Sequence, residues 1–324
     1  MAQVETVRGA IDTTRLGATL MHEHVFVLTP DMLANYPAGW DEEERTRDAV
    51  AKLRSLRSLG VETIVDPTVV GLGRYIPRIQ AVNAEVDINI VAATGMYTYN
   101  DVPFPFHYVG PGNLIDRPGP MVELFVGDIT EGIAGTPVKA AFLKCAIDAP
   151  GLTPGVERVM RAVARAHRRT GAPITVHTSV HNRGGDQARQ VLSDEGVDLA
   201  RVVMGHSGDS TDLDYLKGLA DAGCLLGMDR FGLDLLVPFE DRVATVVSLC
   251  REGYASSMVL SQDASCYIDW FPAGTPAKMA PNWHYEHVSR DVIPELRRRG
   301  VTEEQVTAMM VDNPRRYFEH AEPY

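Results

Sequence analysis

Two histidines separated by a single residue, in the segment Met21-His22-Glu23-His24, end the first apolar run of the sequence. Residues two apart in a strand project from the same side, so a strand here predicts that His22 and His24 point together while Glu23 points away. Two imidazoles at that spacing can share one metal ion. The spacing is common in proteins, so a structural pair of histidines is the alternative interpretation.

A lysine interrupts another apolar run, residues 140–147. Burying the ammonium group of Lys144 would be costly, because a charge leaves water. The side chain could instead reach water at the strand end or pair with an acid. Alternatively, burial lowers its pKa, and the neutral amine reacts with carbon dioxide to give a carbamate. A carbamate is a carboxylate on a long arm and could bridge two cations.

Three more residues with ligand chemistry end apolar runs: His177, His206 and Asp263. Each alone is compatible with a structural polar group at a strand end. Together with the histidine pair and Lys144, they would end strands one, four, five, six and eight of the pattern described next. Independent structural accidents would not converge in this way, so the set predicts a site for two metal ions.

Short apolar runs alternate with longer amphipathic segments along the whole chain. The runs lack clear polar alternation, as buried parallel strands do. They are residues 18–27, 62–66, 88–95, 140–147, 173–178, 201–205, 224–228 and 257–261. Helical segments are expected at residues 41–59, 156–167, 211–222, 238–251 and 287–299. This alternation predicts a (β/α)8 TIM barrel formed by one domain, residues 1–324.

Two connections are unusually long and rich in aromatic residues, residues 96–119 and 263–285. Both follow predicted strands, so both are expected at the carboxyl-end rim of the barrel, where such enzymes place their sites. The histidines outside the metal set, His107, His181, His284, His287 and His320, fall in loops or at helix ends, where solvated side chains are the default expectation.

Composition excludes several functional classes. The 324 residues carry 31 basic and 43 acidic side chains, a formal charge of -12, which argues against nucleic acid or an anionic membrane as the main partner. No apolar run approaches the roughly 18 residues of a membrane span, and the first 13 residues lack a secretory pattern. The 4 cysteines are widely spaced, which favours a reduced, cytoplasmic protein.

At these residues the chain resembles the phosphotriesterase family of the amidohydrolase superfamily, and within it the phosphotriesterase-like lactonases. The resemblance spans essentially the whole sequence. Its clearest segments are MHEH at 21–24, FLKC at 142–145, GHSGD at 205–209 and DNPRRYF at 312–318. The superfamily signature is specific, because ligand type and strand order must both agree.

The resemblance implies a metal-dependent hydrolase with two divalent ions, zinc being the first expectation and cobalt, iron or manganese the alternatives. One ion would be held by His22, His24 and Asp263, and the other by His177 and His206. A carboxylated Lys144, formed with carbon dioxide, and a hydroxide would bridge them. The resemblance also implies a homodimer.

Three features resemble the lactonase branch. Tyr97 follows strand three, where such lactonases place a tyrosine near the substrate carbonyl. Arg230 matches an arginine that helps to shape the site. Tyr267 and Trp270 lie in the last long loop, which resembles the loop covering the lactone and its acyl chain. A rim tyrosine, a surface salt bridge and a loop hydrophobe are the alternative interpretations.

The function predicted from the resemblance is therefore hydrolysis of lactones, N-acyl-homoserine lactones first among them, as in quorum quenching. The hydroxide would attack the lactone carbonyl, Tyr97 would help to polarise it, and Asp263 would pass a proton to the leaving alkoxide. Weak activity on phosphotriesters is expected beside this. The alternatives are a primary phosphotriesterase, a hydrolase of another lactone or carboxylic ester, and a metal-dependent binding protein without turnover.

Overall fold

Eight parallel strands and the helices between them define the architecture of the computed structural model, which describes residues 2–37, 39–272, 274–319 and 323–324. In chain order the strands are β1 (Gln3–Thr6), β2 (Gly9–Asp12), β3 (Thr19–Leu20), β4 (His24–Val27), β5 (Thr63–Asp66), β6 (Asn89–Gly95), β7 (Phe142–Ile147), β8 (Ile174–Thr178), β9 (Val202–Gly205), β10 (Leu225–Met228), β11 (Met258–Leu260) and β12 (Ser265–Ile268). The barrel sheet has the order β11-β10-β9-β8-β7-β6-β5-β3. Neighbouring strands of this sheet are therefore consecutive in the chain, except that β4, which lies between β3 and β5 in the sequence, is not part of it. The predicted (β/α)8 barrel is confirmed.

Helices occupy the connections between these strands, and the longer ones pack on the outer face of the sheet. They are α1 (Pro30–Asn35), α2 (Glu42–Ser58), α3 (Ile76–Ala84), α4 (Pro105–Tyr108), α5 (Pro120–Thr130), α6 (Pro154–Thr170), α7 (Gly184–Asp194), α8 (Leu213–Asp221), α9 (Phe239–Arg251), α10 (Thr275–Met279), α11 (Ile293–Arg298), α12 (Glu303–Thr307) and α13 (Asn313–Phe318). Within the described residues, no helix combines the length and the apolar character that crossing a membrane requires.

Helix α6 shows how local sequence sets these boundaries. The Thr153 side chain accepts a hydrogen bond from the Val156 N–H, and Pro154 occupies the first turn, where its missing N–H costs nothing. Gly171 ends the helix with φ 74°, a left-handed conformation that glycine adopts without a steric penalty. Such caps leave the apolar stripe of the helix to pack on the sheet.

The first predicted strand, residues 18–27, is wrong as a single element. It breaks into β3 and β4, and β4 pairs with β12 instead of continuing the barrel sheet. Between them, the Met21 N–H reaches the Leu260 carbonyl at 3.4 Å and brings the two ends of the sheet together. The sequence analysis did not predict β12, the strand that pairs with β4 outside the barrel sheet.

Two apolar layers hold the barrel together. An inner layer fills the barrel itself with residues such as Val65, Phe142 and Val259, each fully buried. A larger outer layer lies between the sheet and the helices and includes Leu53, Val163 and Leu216. Alternate strand residues supply the two layers, which leaves the carboxyl ends of the strands free to carry polar groups.

Candidate metal centre and substrate cavity

The six side chains predicted to bind metal converge at the carboxyl ends of the barrel strands. Lys144 and His177 lie in β7 and β8, His206 directly follows β9, and Asp263 follows β11. His22 lies in the break between β3 and β4, and His24 begins β4. Strand alternation therefore does not explain why the two histidines point together, because His22 is not in a strand. The backbone of this segment is held instead by hydrogen bonds from the Glu23 N–H to the Val65 carbonyl and from the Asp263 N–H to the His22 carbonyl.

The first group of donors consists of His22, His24 and Asp263, whose candidate ligand atoms all lie within 4.8 Å of one another. Asp263 Oδ1 is 3.5 Å from His22 Nε2 and 3.3 Å from His24 Nε2. The Thr68 hydroxyl donates its proton to Asp66, so it can only accept from His24. The Nδ1 atom of His24 therefore donates to Thr68 Oγ1 at 2.7 Å. The Nε2 atom of His24 is therefore left with a lone pair that faces Asp263.

The second group consists of His177 and His206, whose Nδ1 and Nε2 atoms are 2.9 Å apart. The other ring nitrogen of each lies beside a carboxylate: His177 Nε2 is 3.1 Å from Asp148 Oδ2, and His206 Nδ1 is hydrogen-bonded to Asp229 at 3.0 Å. If both imidazoles are neutral and donate to those carboxylates, two lone pairs face each other. A shared cation removes that repulsion, so the donor set fits a bound metal ion.

Burial lowers the pKa of His22, His177 and His206 and so favours their neutral forms. It lowers the pKa of His22 to about 4, and it lowers the pKa of His206 well below its ordinary value. Removing the positive charge from water is the main cause in both cases. Neutral imidazole is the form that binds a cation, since its free nitrogen carries a lone pair.

Lys144 is buried, with 1% of its surface exposed, and burial lowers its pKa to about 8. Its Nζ atom lies 3.4 Å from His22 Nε2, and among the described residues it forms no ion pair. A lysine without an acid partner, between two groups of metal donors, fits a carbamate better than a structural ion pair. Gly95 lets β6 approach this strand closely, because a Cβ atom there would lie 1.9 Å from the Lys144 carbonyl oxygen.

Asp229 organises both groups of donors and was not predicted from the sequence. Its Oδ2 atom accepts from His22 Nδ1 at 3.1 Å, and its Oδ1 atom accepts from His206 Nδ1 and the His206 backbone N–H. The hydrogen bond from the His206 backbone N–H helps to hold His206 at φ 63°, an uncommon conformation for a residue with a side chain. The available signal was its position, directly after the seventh apolar run.

The Tyr97 hydroxyl reaches the edge of the site and donates to Asp148 Oδ2 at 2.5 Å. Asp148 was also missed, although it directly follows the fourth apolar run. The His177 ring lies edge-on to the Tyr97 ring, with centroids 5.1 Å apart. The tyrosine is therefore where the sequence placed it, but its proton is directed at Asp148.

Arg230 lies between two carboxylates. Its Nε donates to Asp263 Oδ2 at 3.0 Å and its Nη1 to Asp209 Oδ2 at 3.1 Å. Arg242, which is buried, holds Asp209 from the other side at 2.7 Å. Arg230 is thus fixed beside Asp263 and contacts the cavity described next, and its role in shaping the site stays a prediction.

A cavity of about 350 Å³ opens above the donor groups. Its floor includes His22, His24, Lys144, His177 and Asp263, and its wall includes Tyr97 and Arg230. Apolar side chains form most of the remaining lining: Leu72, Leu233, Leu235, Leu236, Ile268, Trp270, Phe271, Met279 and Trp283. The cavity is thus polar at its floor and apolar toward its mouth.

The last long loop places its two predicted substrate contacts differently. Trp270 lines the cavity with about half of its surface exposed, and its predicted contact with substrate stays a prediction. Tyr267 is not among the residues that line this cavity, and its predicted substrate contact stays a prediction. Its ring lies 5.5 Å from the Trp40 ring, and the Arg45 guanidinium stands 4.3 Å above it. The pairing of β12 with β4 sets Tyr267 beside Phe26, on the outer side of the barrel.

His287 also departs from the sequence expectation. It is buried rather than solvated, with 3% of its surface exposed, and its Nδ1 atom is 2.8 Å from Asp291. It lies outside the cavity lining. His320 falls outside the described residues.

Comparisons with known proteins agree with this geometry. The model of the phosphotriesterase family matches residues 2–318. The structure of the phosphotriesterase from Mycobacterium tuberculosis has 57% sequence identity, covers 99% of this chain and 100% of its own, and superposes with a TM-score of 0.98. An aryldialkylphosphatase from Saccharolobus solfataricus is 40% identical over 313 residues, which are 96% of this chain and 98% of that protein.

A further solved structure comes from the molecular engineering of organophosphate hydrolysis activity from a weak promiscuous lactonase template. It has 34% sequence identity, covers 98% of this chain and 99% of its own, and has a TM-score of 0.90.

Proposed function

The chain belongs to the phosphotriesterase family, whose members are metal-dependent hydrolases, and we propose that its own substrates are lactones, N-acyl-homoserine lactones first among them. Such a substrate combines a polar lactone head with an apolar acyl tail. Opening the signalling lactones of bacteria would make the enzyme a quorum-quenching hydrolase. We further propose two divalent ions, zinc first among them, a carboxylated Lys144 and a homodimeric assembly.

The observation that carries this proposal is the division of the cavity. Its floor holds the metal donors, whereas Trp270, Phe271 and Leu235 lie toward the mouth. A lactone ring at the floor would place its acyl tail along those apolar side chains. Each methylene buried there would contribute up to about 0.8 kcal/mol. A compact triester with short alkyl groups would leave much of this surface unused.

The residues that would hold the ions are His22, His24 and Asp263 for one, His177 and His206 for the other, and carboxylated Lys144 for both. When bound, divalent cations would lower the pKa of a water molecule and polarise the carbonyl oxygen of the substrate. The neutral imidazoles and their carboxylate partners, Asp148 and Asp229, keep these donors aimed at the same point.

Asp263 is placed to move the proton of the reaction. One of its oxygens faces the imidazoles, and the other is held by Arg230 at 3.0 Å. The oxygen of water bonds to the carbonyl carbon, and Asp263 accepts the proton that this oxygen loses. The ring C–O bond then breaks, and the alkoxide leaves with the proton from Asp263. The leaving group remains attached, so the product is one hydroxy acid.

A second candidate function is phosphotriester hydrolysis, because the relative with 40% identity is named an aryldialkylphosphatase. The same donors can serve attack at phosphorus. The lactonase template among the solved structures, with 34% identity, and the apolar length of the cavity favour lactones as the better substrates. Other lactones and simple carboxylic esters fit the same chemistry.

The test is a substrate profile on the purified, metal-loaded enzyme. We expect the highest kcat/KM for N-acyl-homoserine lactones with medium or long chains, and low values for paraoxon and a phenyl ester. The metal content of the same sample should be about two ions per chain. Asp263→Asn, purified in parallel, reports any contaminating hydrolase. A kcat/KM for paraoxon above that for every lactone would replace the proposal with the phosphotriesterase alternative.

A further inference from the structure

Tyr97, Asp148 and His177 lie in contact with one another, in that order, at the edge of the cavity. Asp148 Oδ2 accepts from the Tyr97 hydroxyl at 2.5 Å and lies 3.1 Å from His177 Nε2. Asp148 Oδ1 accepts from the Ala149 backbone N–H at 2.6 Å. Donors thus surround the carboxylate, and it has no proton of its own to give back.

The direction of these bonds fixes what the Tyr97 oxygen can still do. A phenol hydroxyl has one proton and can also accept. The single proton of Tyr97 is directed at Asp148, so the capacity that remains toward the cavity is that of an acceptor. Tyr97 lines the cavity together with the Arg230 guanidinium, which carries only donors. A substrate carbonyl would therefore find no donor at Tyr97, whereas a substrate N–H would find a partner.

We propose that Asp148 is a positioning residue that turns the Tyr97 hydroxyl into a hydrogen-bond acceptor, and that this pair selects lactones carrying an N–H group on the carbon beside the ring carbonyl. This inference rests on the proposed lactone hydrolysis and adds a specificity rule to it. The preferred class is the α-amido lactone. The disfavoured class carries an oxygen at the same place, because two acceptors would then face each other.

A matched pair of substrates tests the rule. One is an N-acyl-homoserine lactone, and the other is the α-acyloxy-γ-butyrolactone of the same chain length, in which oxygen replaces only the N–H group. We expect the unaltered enzyme to prefer the amide in kcat/KM by about three- to tenfold, the range of one neutral hydrogen bond, mainly through KM. Tyr97→Phe should reduce that preference to near unity.

Asp148→Ala tests the positioning role. It leaves the Tyr97 hydroxyl in place but frees its proton to turn toward the cavity, so the amide preference should disappear although the tyrosine is still there. Because Asp148 also contacts His177, the metal content of this variant is measured beside its kinetics. Tyr99→Phe is the matched control, since it removes an exposed hydroxyl two residues along the same loop and should keep the preference.

The outcomes are distinct. If neither lactone is opened, the proposed function fails and this inference fails with it. If both are opened with equal kcat/KM by the unaltered enzyme, the function stands and the inference is overturned. It is also overturned if Tyr97→Phe slows both substrates by the same factor, because that is the result expected when Tyr97 donates to the ring carbonyl. Loss of the preference in Tyr97→Phe supports it even if Asp148→Ala fails to fold.

Discussion

Glu23 holds Asp263 in place through the backbone on either side of it. One oxygen of the Glu23 carboxylate accepts from the Gln262 N–H at 2.9 Å, and the other accepts from the Ala264 N–H at 3.0 Å. Asp263 itself has φ 54°, an uncommon conformation for a residue with a side chain. Glu23 is fully buried, so this carboxylate is a fixed part of the site although it does not face the cavity.

Glu23→Gln should therefore affect the turn that carries Asp263. The amide has one acceptor oxygen, so its NH2 group would oppose either the Gln262 N–H or the Ala264 N–H. Leaving one buried N–H unsatisfied should lower the free energy of unfolding by about 1–3 kcal/mol, and kcat should fall with the displacement of Asp263. Urea unfolding and steady-state kinetics measure the two effects. Glu43→Gln, at an exposed position, is the control, and an unchanged kcat in Glu23→Gln would contradict the positioning role.

Lys144→Ala should abolish activity and reduce the metal content, because the carbamate arm would be missing. A short carboxylic acid such as propionate should restore part of both by entering the vacated space. Metal analysis and turnover with and without propionate are the measurements. A high-resolution map of the unaltered, metal-loaded enzyme should show a carboxylated Lys144, and an unmodified amine beside two bound ions would rule the carbamate out.

Asp263→Asn should lower kcat by at least about a hundredfold, the scale expected when proton transfer fails. The fold should persist, since asparagine keeps the shape of the side chain and the Asp263 backbone N–H still donates to the His22 carbonyl at 3.1 Å. Asp263 is also a proposed ligand, so metal content is measured on the same sample. Near-normal turnover with a full complement of metal would show that another group accepts the proton.

His167 predicts a pH dependence of stability away from the active site. It is fully buried in α6, where its Nδ1 donates to the Ala172 carbonyl and its Nε2 accepts from the Tyr324 hydroxyl. Burial lowers its pKa below the ordinary 6.5. The unfolded chain therefore binds the proton first, so this contribution is complete above pH 6.5 and is lost as the pH falls toward the folded-state pKa.

His167→Gln should flatten that dependence, because an amide can donate to Ala172 and accept from Tyr324 without titrating. Denaturant unfolding at pH 7.5 and at pH 5.5, about one unit either side of the ordinary histidine pKa, compares the two proteins. The difference between their unfolding free energies should be smaller at the lower pH. A difference that is independent of pH would mean that His167 does not titrate between these conditions.

The sequence was sufficient to predict the barrel and the meeting of the six donors. Parallel strands in a barrel bring their carboxyl ends to one face, so Lys144, His177 and His206 could be placed together from their positions alone. The partners that orient them were harder to find. Asp148 contacts His177, which is 29 residues away in the sequence. Asp229 contacts His206, 23 residues away, and His22, 207 residues away. Hydrogen bonds across neighbouring strands leave no local pattern in the sequence.

The orientation of loop residues was the other limit. Tyr267 and Trp270 are three residues apart, and both are large aromatic side chains in a loop expected to cover the site. Only the pairing of β12 with β4 separates them, since it directs Tyr267 toward Trp40 and leaves Trp270 over the cavity. The same pairing interrupts the first barrel strand. Long-range pairing of a short strand within a loop is not encoded by the apolar periodicity that identified the other strands.

Trp270→Ala should reduce the dependence of kcat/KM on acyl-chain length while leaving the metal content intact. The indole lies at the apolar mouth of the cavity, about half exposed, so a long tail would bury part of it and a short tail would not. Burial contributes up to about 0.8 kcal/mol for each methylene, and removing the indole forfeits a share of that gain for long substrates only. The measurement is kcat/KM across homoserine lactones of increasing chain length.

Tyr267→Ala is the matched control, because its ring packs against Trp40 outside the cavity and its loss should lower stability without altering the ranking of substrates. Equal kcat/KM for short and long chains in the unaltered enzyme would exclude a role of this loop in binding the tail.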